Sequence, residues 1–267
     1  MLLFILIIIL LGLSLGSFAN CLIWRLYKQE RIGGRSYCPR CSRQLFWYDN
    51  IPLLGYLRLR GRCRFCKLPI SWQYPAVEAA VAFLFVVFWF KYIGFVWLSP
   101  EELAGFLNIH FWLILFRDYL AIFVLTIIFV FDLRFYLVSN AVVLPAAAGI
   151  ALLNLALGAS AYALFLSAAA VLVFFGSQFI LSRGRALGEG DIWIGLFLAA
   201  LFPDYNLLIL AILSAYILGT IVGVSLIAAN KKKWGSKLPL GVFLALGALI
   251  TLIWGPAIVS VFWSFQL

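Results

Sequence analysis

The chain has 267 residues, of which 66% are hydrophobic and 11% charged, with a mean hydropathy of +1.09 and a formal net charge of +10. A soluble domain of this length has no use for so much apolar surface, whereas runs of about 20 apolar residues are what crossing a bilayer requires. The composition excludes a water-soluble fold and predicts an all-α polytopic membrane protein.

The first apolar run, 2–24, has no basic segment ahead of it, exceeds the apolar core of a signal peptide and lacks a small-residue cleavage site, so it is expected to remain as a membrane helix. Further spans are expected near 76–98, 112–131, 140–158, 160–182, 191–203, 206–229 and 239–263, about eight in all. The stretch 191–203 is short and needs help from its neighbours. Of the 20 Lys and Arg residues, 11 lie between Arg25 and Lys67. Arg134 follows the third span, Arg183 and Arg185 the fifth, and Lys231, Lys232, Lys233 and Lys237 the seventh. With alternating spans these eighteen share one side, and only Lys91 and Arg117 remain elsewhere. The positive-inside rule makes that side cytoplasmic and both termini external. The basic excess therefore reads as a topology signal for the lipid bilayer, with no nucleic acid as partner, though it could also attract anionic headgroups.

The one long polar segment, 26–75, carries CPRC at 38–41 and CRFC at 63–66, and leaves Cys21 as a packed residue of the first span. Two C-x-x-C turns 21 residues apart lie just beyond the usual spacing of a four-cysteine structural zinc site. In such a site Cys38, Cys41, Cys63 and Cys66 would close a tetrahedron and leave no position for water. Two disulfides are the alternative, disfavoured in a reducing cytoplasm; a redox C-x-x-C is another. A loop this small has little core, so a metal would do much of its folding. Its 49–52 turn and the stretch LRLRGRCRFC form either a solvated face or a dock for lipid.

Among ten acids, Glu30, Asp49, Glu101, Glu102 and Asp204 fall in loops. Glu78 starts the second span, Asp118 sits beside Arg117 in the third, and Glu189 faces a polar loop. Asp132 and Asp191 both lie at the cytoplasmic ends of their spans, at similar depth. Two carboxylates that meet hold one proton between them. The ionised member can take a proton from water and the protonated member can polarise a peptide carbonyl, the division of labour of an aspartic protease. Gly188 and Gly190 would allow unusual backbone angles and close approach of an extended substrate. The bland alternatives are an N-cap for Asp191 and a pairing of Asp132 with Arg134.

Taken in order, GSFANCLIWRL at 16–26, CPRC, WYDNIPLLGYLRLRGRCRFC, PISWQYPAVE, FDLRFYLVSN at 131–140, GEGD at 188–191 and LPLGVFLALGALI at 238–250 resemble the type IV prepilin leader peptidases, a family of GxGD membrane aspartic proteases. The resemblance implies a catalytic dyad of Asp132 and Asp191 in an active-site loop shaped by Gly188 and Gly190. It implies substrates that are type IV prepilins or pseudopilins, cut on the cytoplasmic side of a bacterial inner membrane between a short basic leader and an apolar helix. It also implies N-methylation of the new terminus with S-adenosylmethionine, linked to the amino-terminal region, with Asn20 and Glu78 as candidates there. Helix contacts and a helix-start acid are the structural alternatives for those two. Trp193 stands where the family usually has lysine, Ser139 and Val242 where it has proline. The expected organisation is a first helix at 1–25, a four-cysteine loop domain at 26–75 and a peptidase core at 76–267. A proton-coupled transporter, which predicts midplane acids and inverted repeats, and an inactive zinc-bearing scaffold are the competing readings.

Overall fold

The computed structural model describes residues 2–93, 108–185, 187–233 and 235–264, which form nine α-helices and no β-strand. The expected loop acids Glu101 and Glu102 and the end of the second span lie outside the described residues. The chain divides between Trp97 and Leu98 into two compact units.

In the first unit, α1 (Leu2–Lys28) packs along α3 (Gln73–Ile93). The contact is made by small residues. A Cβ on Gly12 would lie 2.6 Å from Ala82 Cα, and one on Gly16 2.7 Å from Glu78 Cα. Glycines four apart let two membrane helices approach backbone to backbone, where packing replaces the missing hydrophobic drive. Helix α1 ends with Arg25 and Lys28, cations suited to a helix C-terminus. Buried Arg25 then donates to the carbonyls of Ile32, Gly34 and Arg35, which folds the chain back as it leaves the helix. Between the helices come a single 3-10 turn, Trp47–Asp49, and the five-residue α2 (Leu54–Arg58).

The second unit contains α4 (Ile109–Phe135), α5 (Asn140–Ala156), α6 (Ala161–Ser182), α7 (Glu189–Leu201), α8 (Tyr205–Ala228) and α9 (Leu240–Ser264). Caps mark their limits. Asn108 accepts the His110 N–H at the start of α4, and Asp204 accepts that of Asn206 at the start of α8. Tyr136 and Arg183 take left-handed backbone angles after α4 and α6.

Among the described residues, six helices are long and apolar enough to cross a membrane. The fourth and sixth expected spans are shorter, with 17 and 13 residues. A 13-residue helix is only about 20 Å long, against a hydrocarbon core of about 30 Å. The deficit is covered by protein: α7 is wrapped by α5 and α6 and also meets α9, and Phe197–Leu201 are buried without a break. The chain leaving α7 is buried too at Phe202, and Ser167 of α6 donates to the Pro203 carbonyl at 3.0 Å. Irregular backbone at such depth survives only inside protein.

Candidate active site

Asp132 lies one turn before the end of α4 and is 7% exposed. Its Oδ2 accepts the Val242 N–H at 3.2 Å, and the Gly241 N–H also points to the carboxylate. Both belong to the first turn of α9, where N–H groups have no partner inside the helix and the dipole favours an anion. A Cβ on Gly241 would stand 2.8 Å from Asp132 Oδ2 and 2.9 Å from Ile194 Cδ1, so this approach requires glycine. Arg134, the alternative partner, lies instead with its guanidinium 6.0 Å from the Phe135 ring.

Asp191 is the third residue of α7 and reaches back with Oδ2 to accept the Gly188 N–H at 3.0 Å. That is the return half of a capping box; Gly188, at the cap position, has no side chain to supply the other half. Asp191 therefore does act as a cap. The two carboxylates interact electrostatically. Ile194, one turn after Asp191, is also the residue that meets Gly241 next to Asp132. The glycines act differently from expectation. Gly188 has φ −81° and ψ 156°, ordinary extended backbone, and Gly190 lies within the helix. What requires glycine at 190 is a side-chain contact, since a Cβ there would fall 2.6 Å from Val138 Cγ2. Val138 follows Asp132 by six residues, so Gly190 lets the two acid-bearing segments press together.

In the first unit the sulfurs of Cys38, Cys41, Cys63 and Cys66 all lie within 4.8 Å of one another. Four thiolates about 2.3 Å from a zinc ion would be about 3.8 Å apart, close to the 4.0 Å between the sulfurs of Cys38 and Cys66. The donor set can hold a metal ion. The two knuckles repeat each other with an offset of 25 residues. Cys38 N–H bonds Arg43 O and Cys63 N–H bonds Leu68 O; Ser42 N–H bonds Cys38 O and Lys67 N–H bonds Cys63 O. The isolated bridges Tyr37–Gln44 and Arg62–Pro69 keep the same register. Ser42 and Lys67 both have positive φ, 57° and 59°. Burial pushes the Cys38 thiol up to about 11. At Cys63 burial acts the same way, but the N–H groups of Cys66 and Phe65 together with the Cys38 and Cys66 thiols outweigh it, and the thiol stands lowered at about 7.

Residues 10–92 match the family model described as "Bacterial Peptidase A24 N-terminal domain", and residues 119–224 that of the "Type IV leader peptidase family". A "Prepilin leader peptidase/N-methyltransferase" of Pseudomonas aeruginosa is 30% identical, with 98% of this chain and 94% of that protein aligned. The chain belongs to the type IV leader peptidase family. A protein of the same name from Stutzerimonas stutzeri is 29% identical over the same shares, and one from Myxococcus xanthus is 50% identical over 84 residues, 31% of this chain and 25% of that protein. No solved structure matches the chain.

Within this leader-peptidase chain, Asn20 and Glu78 are both buried. Asn20 donates to Tyr74 O at 3.1 Å and accepts from Gln73 Nε2 at 3.0 Å, while Glu78 accepts the Leu53 N–H at 2.8 Å. They tie the start of α3 to α1 and to the loop. Asp49 is likewise buried and gripped by Arg64 Nε and Nη2 through both carboxylate oxygens. Of the departures from the family pattern, Val242 supplies the N–H that reaches Asp132. Ser139 precedes α5, and the Trp193 indole N–H is buried without a hydrogen-bond partner among the described residues. The sequence reading missed Gly241 and Asn154. Asn154 accepts from Arg117 Nη1 at 3.0 Å and donates to Ala200 O at 2.7 Å, while Arg117 pairs at 2.8 Å with the fully buried Asp118. The signal for Asn154 was a polar residue inside an apolar run, which marks a helix contact as often as a site.

Proposed function

We propose that the protein is a prepilin peptidase in which Asp132 and Asp191 form the catalytic dyad. It cuts type IV prepilins or pseudopilins between a basic leader and an apolar helix. The observation that supports this reading is that Asp132 and Asp191, on α4 and α7, each accept backbone N–H groups at a helix N-terminus and lie near enough to interact electrostatically, with Gly241 against both Asp132 and Ile194, in a chain of the leader peptidase family. A pair that shares one proton supplies both halves of peptide hydrolysis: the ionised acid takes a proton from the attacking water, and the protonated one hydrogen-bonds the scissile carbonyl. The backbone N–H groups of Gly241, Val242 and Gly188 offset the burial of negative charge and fix the orientation of both acids. The clustering of Lys and Arg in alternate loops supports a cytoplasmic placement of the dyad and the cysteine loop in the inner membrane, with external termini.

The same protein N-methylates the new terminus, as the names of its relatives indicate for them. S-adenosylmethionine would supply an activated methyl group. Asn20 and Glu78 serve that half as a framework, because their polar atoms bind protein groups rather than facing a ligand. The metal held by Cys38, Cys41, Cys63 and Cys66 is zinc in a closed, structural role, since four sulfurs leave no coordination position for substrate. A transporter reading loses ground to the placement of both acids at helix ends.

The test is cleavage of a synthetic prepilin-like substrate by the purified chain in detergent, followed by mass spectrometry. We expect a cut at the leader junction, a loss of at least about a hundredfold in rate for Asp132→Asn or Asp191→Asn, and gain of one methyl group when S-adenosylmethionine is added. Retained cleavage in both folded variants would remove the dyad.

A further inference from the structure

In the second unit, α6 and α8 have different partners. Val171 and Phe175 of α6 press on α7, where a Cβ on Gly195 would lie 2.7 Å from either side chain. Ala211 and Ala215 of α8 receive α9 so closely that a Cβ on Gly247 would fall 2.3 Å from Ala211 O. Drawn to separate neighbours, the two helices leave a groove of about 550 Å³ between them, within the range of ligand sites. Ala170 and Phe174 form one wall, and Leu208, Ile212, Leu213 and Tyr216 the other.

At one end Tyr216 Oη donates to Gln178 Oε1 at 3.0 Å, and the Phe174 ring meets Tyr216 edge-on at 6.0 Å. This end lies toward Asp191. Gln178 is one turn from the end of α6, whose connection 183–188 leads directly to Asp191, and Tyr216 interacts with the Asp191 charge. From the Gln178–Tyr216 contact the lining residues run to lower numbers on both helices, back to Ala170 and Leu208. The helices thus run parallel, and the groove follows them for about 12 Å, or two helical turns.

An occupant of this groove must be apolar and must come from the bilayer, because the walls are apolar and both helices are long enough to cross it. A lipid tail meets that requirement but has no reason to stop at a polar pair on the side of Asp191. A peptide whose apolar helix begins just after its scissile bond meets both. We propose that the groove between α6 and α8 seats the first turns of the substrate's apolar helix, and that Gln178 and Tyr216 set the depth at which that helix stops, leaving the leader junction at the dyad. This assignment rests on the peptidase reading above.

The test uses the full chain in lipid nanodiscs with a synthetic substrate made of a basic leader and an apolar helix. Cleavage by the parent first establishes the peptidase reading on its own; a parent that never cuts defeats that reading. In the Asp191→Asn background, a benzophenone amino acid is then placed at Leu213 in the groove or, as control, at exposed Phe165 of α6. We expect saturable photo-crosslinking to the substrate's apolar helix from position 213 and none from 165. Crosslinks from 213 to lipid alone, or equal labelling from both positions, with the parent active, would overturn the groove assignment. Independently, Ala170→Phe narrows the groove and should raise KM about tenfold with kcat within about twofold, the mark of lost substrate binding rather than lost chemistry. An unchanged KM, or a fall in kcat alone, would count against the groove.

Discussion

The carboxylate of each acid in the proposed dyad meets the first turn of a helix, so each has backbone N–H groups as partners. Gly241 makes this possible for Asp132, and Gly241→Ala tests it. The added methyl meets both Asp132 Oδ2 and Ile194, and the carboxylate must move. We expect cleavage to fall by more than tenfold for a stability cost of about 1–3 kcal/mol, read from rate and thermal unfolding together. Loss of stability without loss of rate would mean that Asp132 needs no such placement. A second residue-scale prediction concerns pH. The hydrogen bonds from Arg64, opposed by burial, hold the Asp49 carboxyl below its ordinary value. A depressed folded value means that the stabilisation is complete above the unfolded value of about 4 and fades as pH falls through the folded one. Hydrogen exchange in the Trp47–Asp49 turn should accelerate in that acid window, and Asp49→Asn should remove the pH dependence. An identical acid profile in the variant would contradict this.

At the scale of elements, the short helix α7 depends on its surroundings. Asn154 satisfies the Ala200 carbonyl near its end and is itself held by Arg117. Asn154→Leu should cost about 1 kcal/mol, the usual size of a polar contact between membrane helices, seen as a lower midpoint of thermal unfolding; no shift would show that apolar packing alone holds α7. The cysteine loop depends on metal in a stronger sense. Elemental analysis should find one zinc per chain, and Cys41→Ser should abolish both the zinc and the exchange protection of the paired knuckles. Retained protection without metal would make the knuckles self-supporting. Helices were legible because apolar runs and their charged flanks follow directly from the solvent they face. The shortness of α5 was not, since an apolar run continues to 158 while the backbone turns at Gly158, with φ 92°. Nor was the twofold repetition of the knuckles, which lives in backbone hydrogen bonds and shares little beyond C-x-x-C.

At the scale of the whole chain, length, apolar content and ordered motifs were enough to name the family, and both family models then matched it. The position of Asp132 and Asp191 at helix ends was also readable, because one lies where an apolar run stops and the other where one starts. Their surroundings were not. A helix N-terminus that receives Asp132 is made of main-chain N–H groups, which carry no signature in side chains, and the Gly190–Val138 contact joins residues 52 positions apart. The central claim is that two distant acids work as one device. The direct measurement is the cleavage rate of the parent, Asp132→Asn, Asp191→Asn and the double variant on one prepilin-like substrate, with folding checked for each. A shared device predicts that either single substitution loses about as much as both together. Losses that multiply, or a single variant that still cuts at the parental rate, would contradict it.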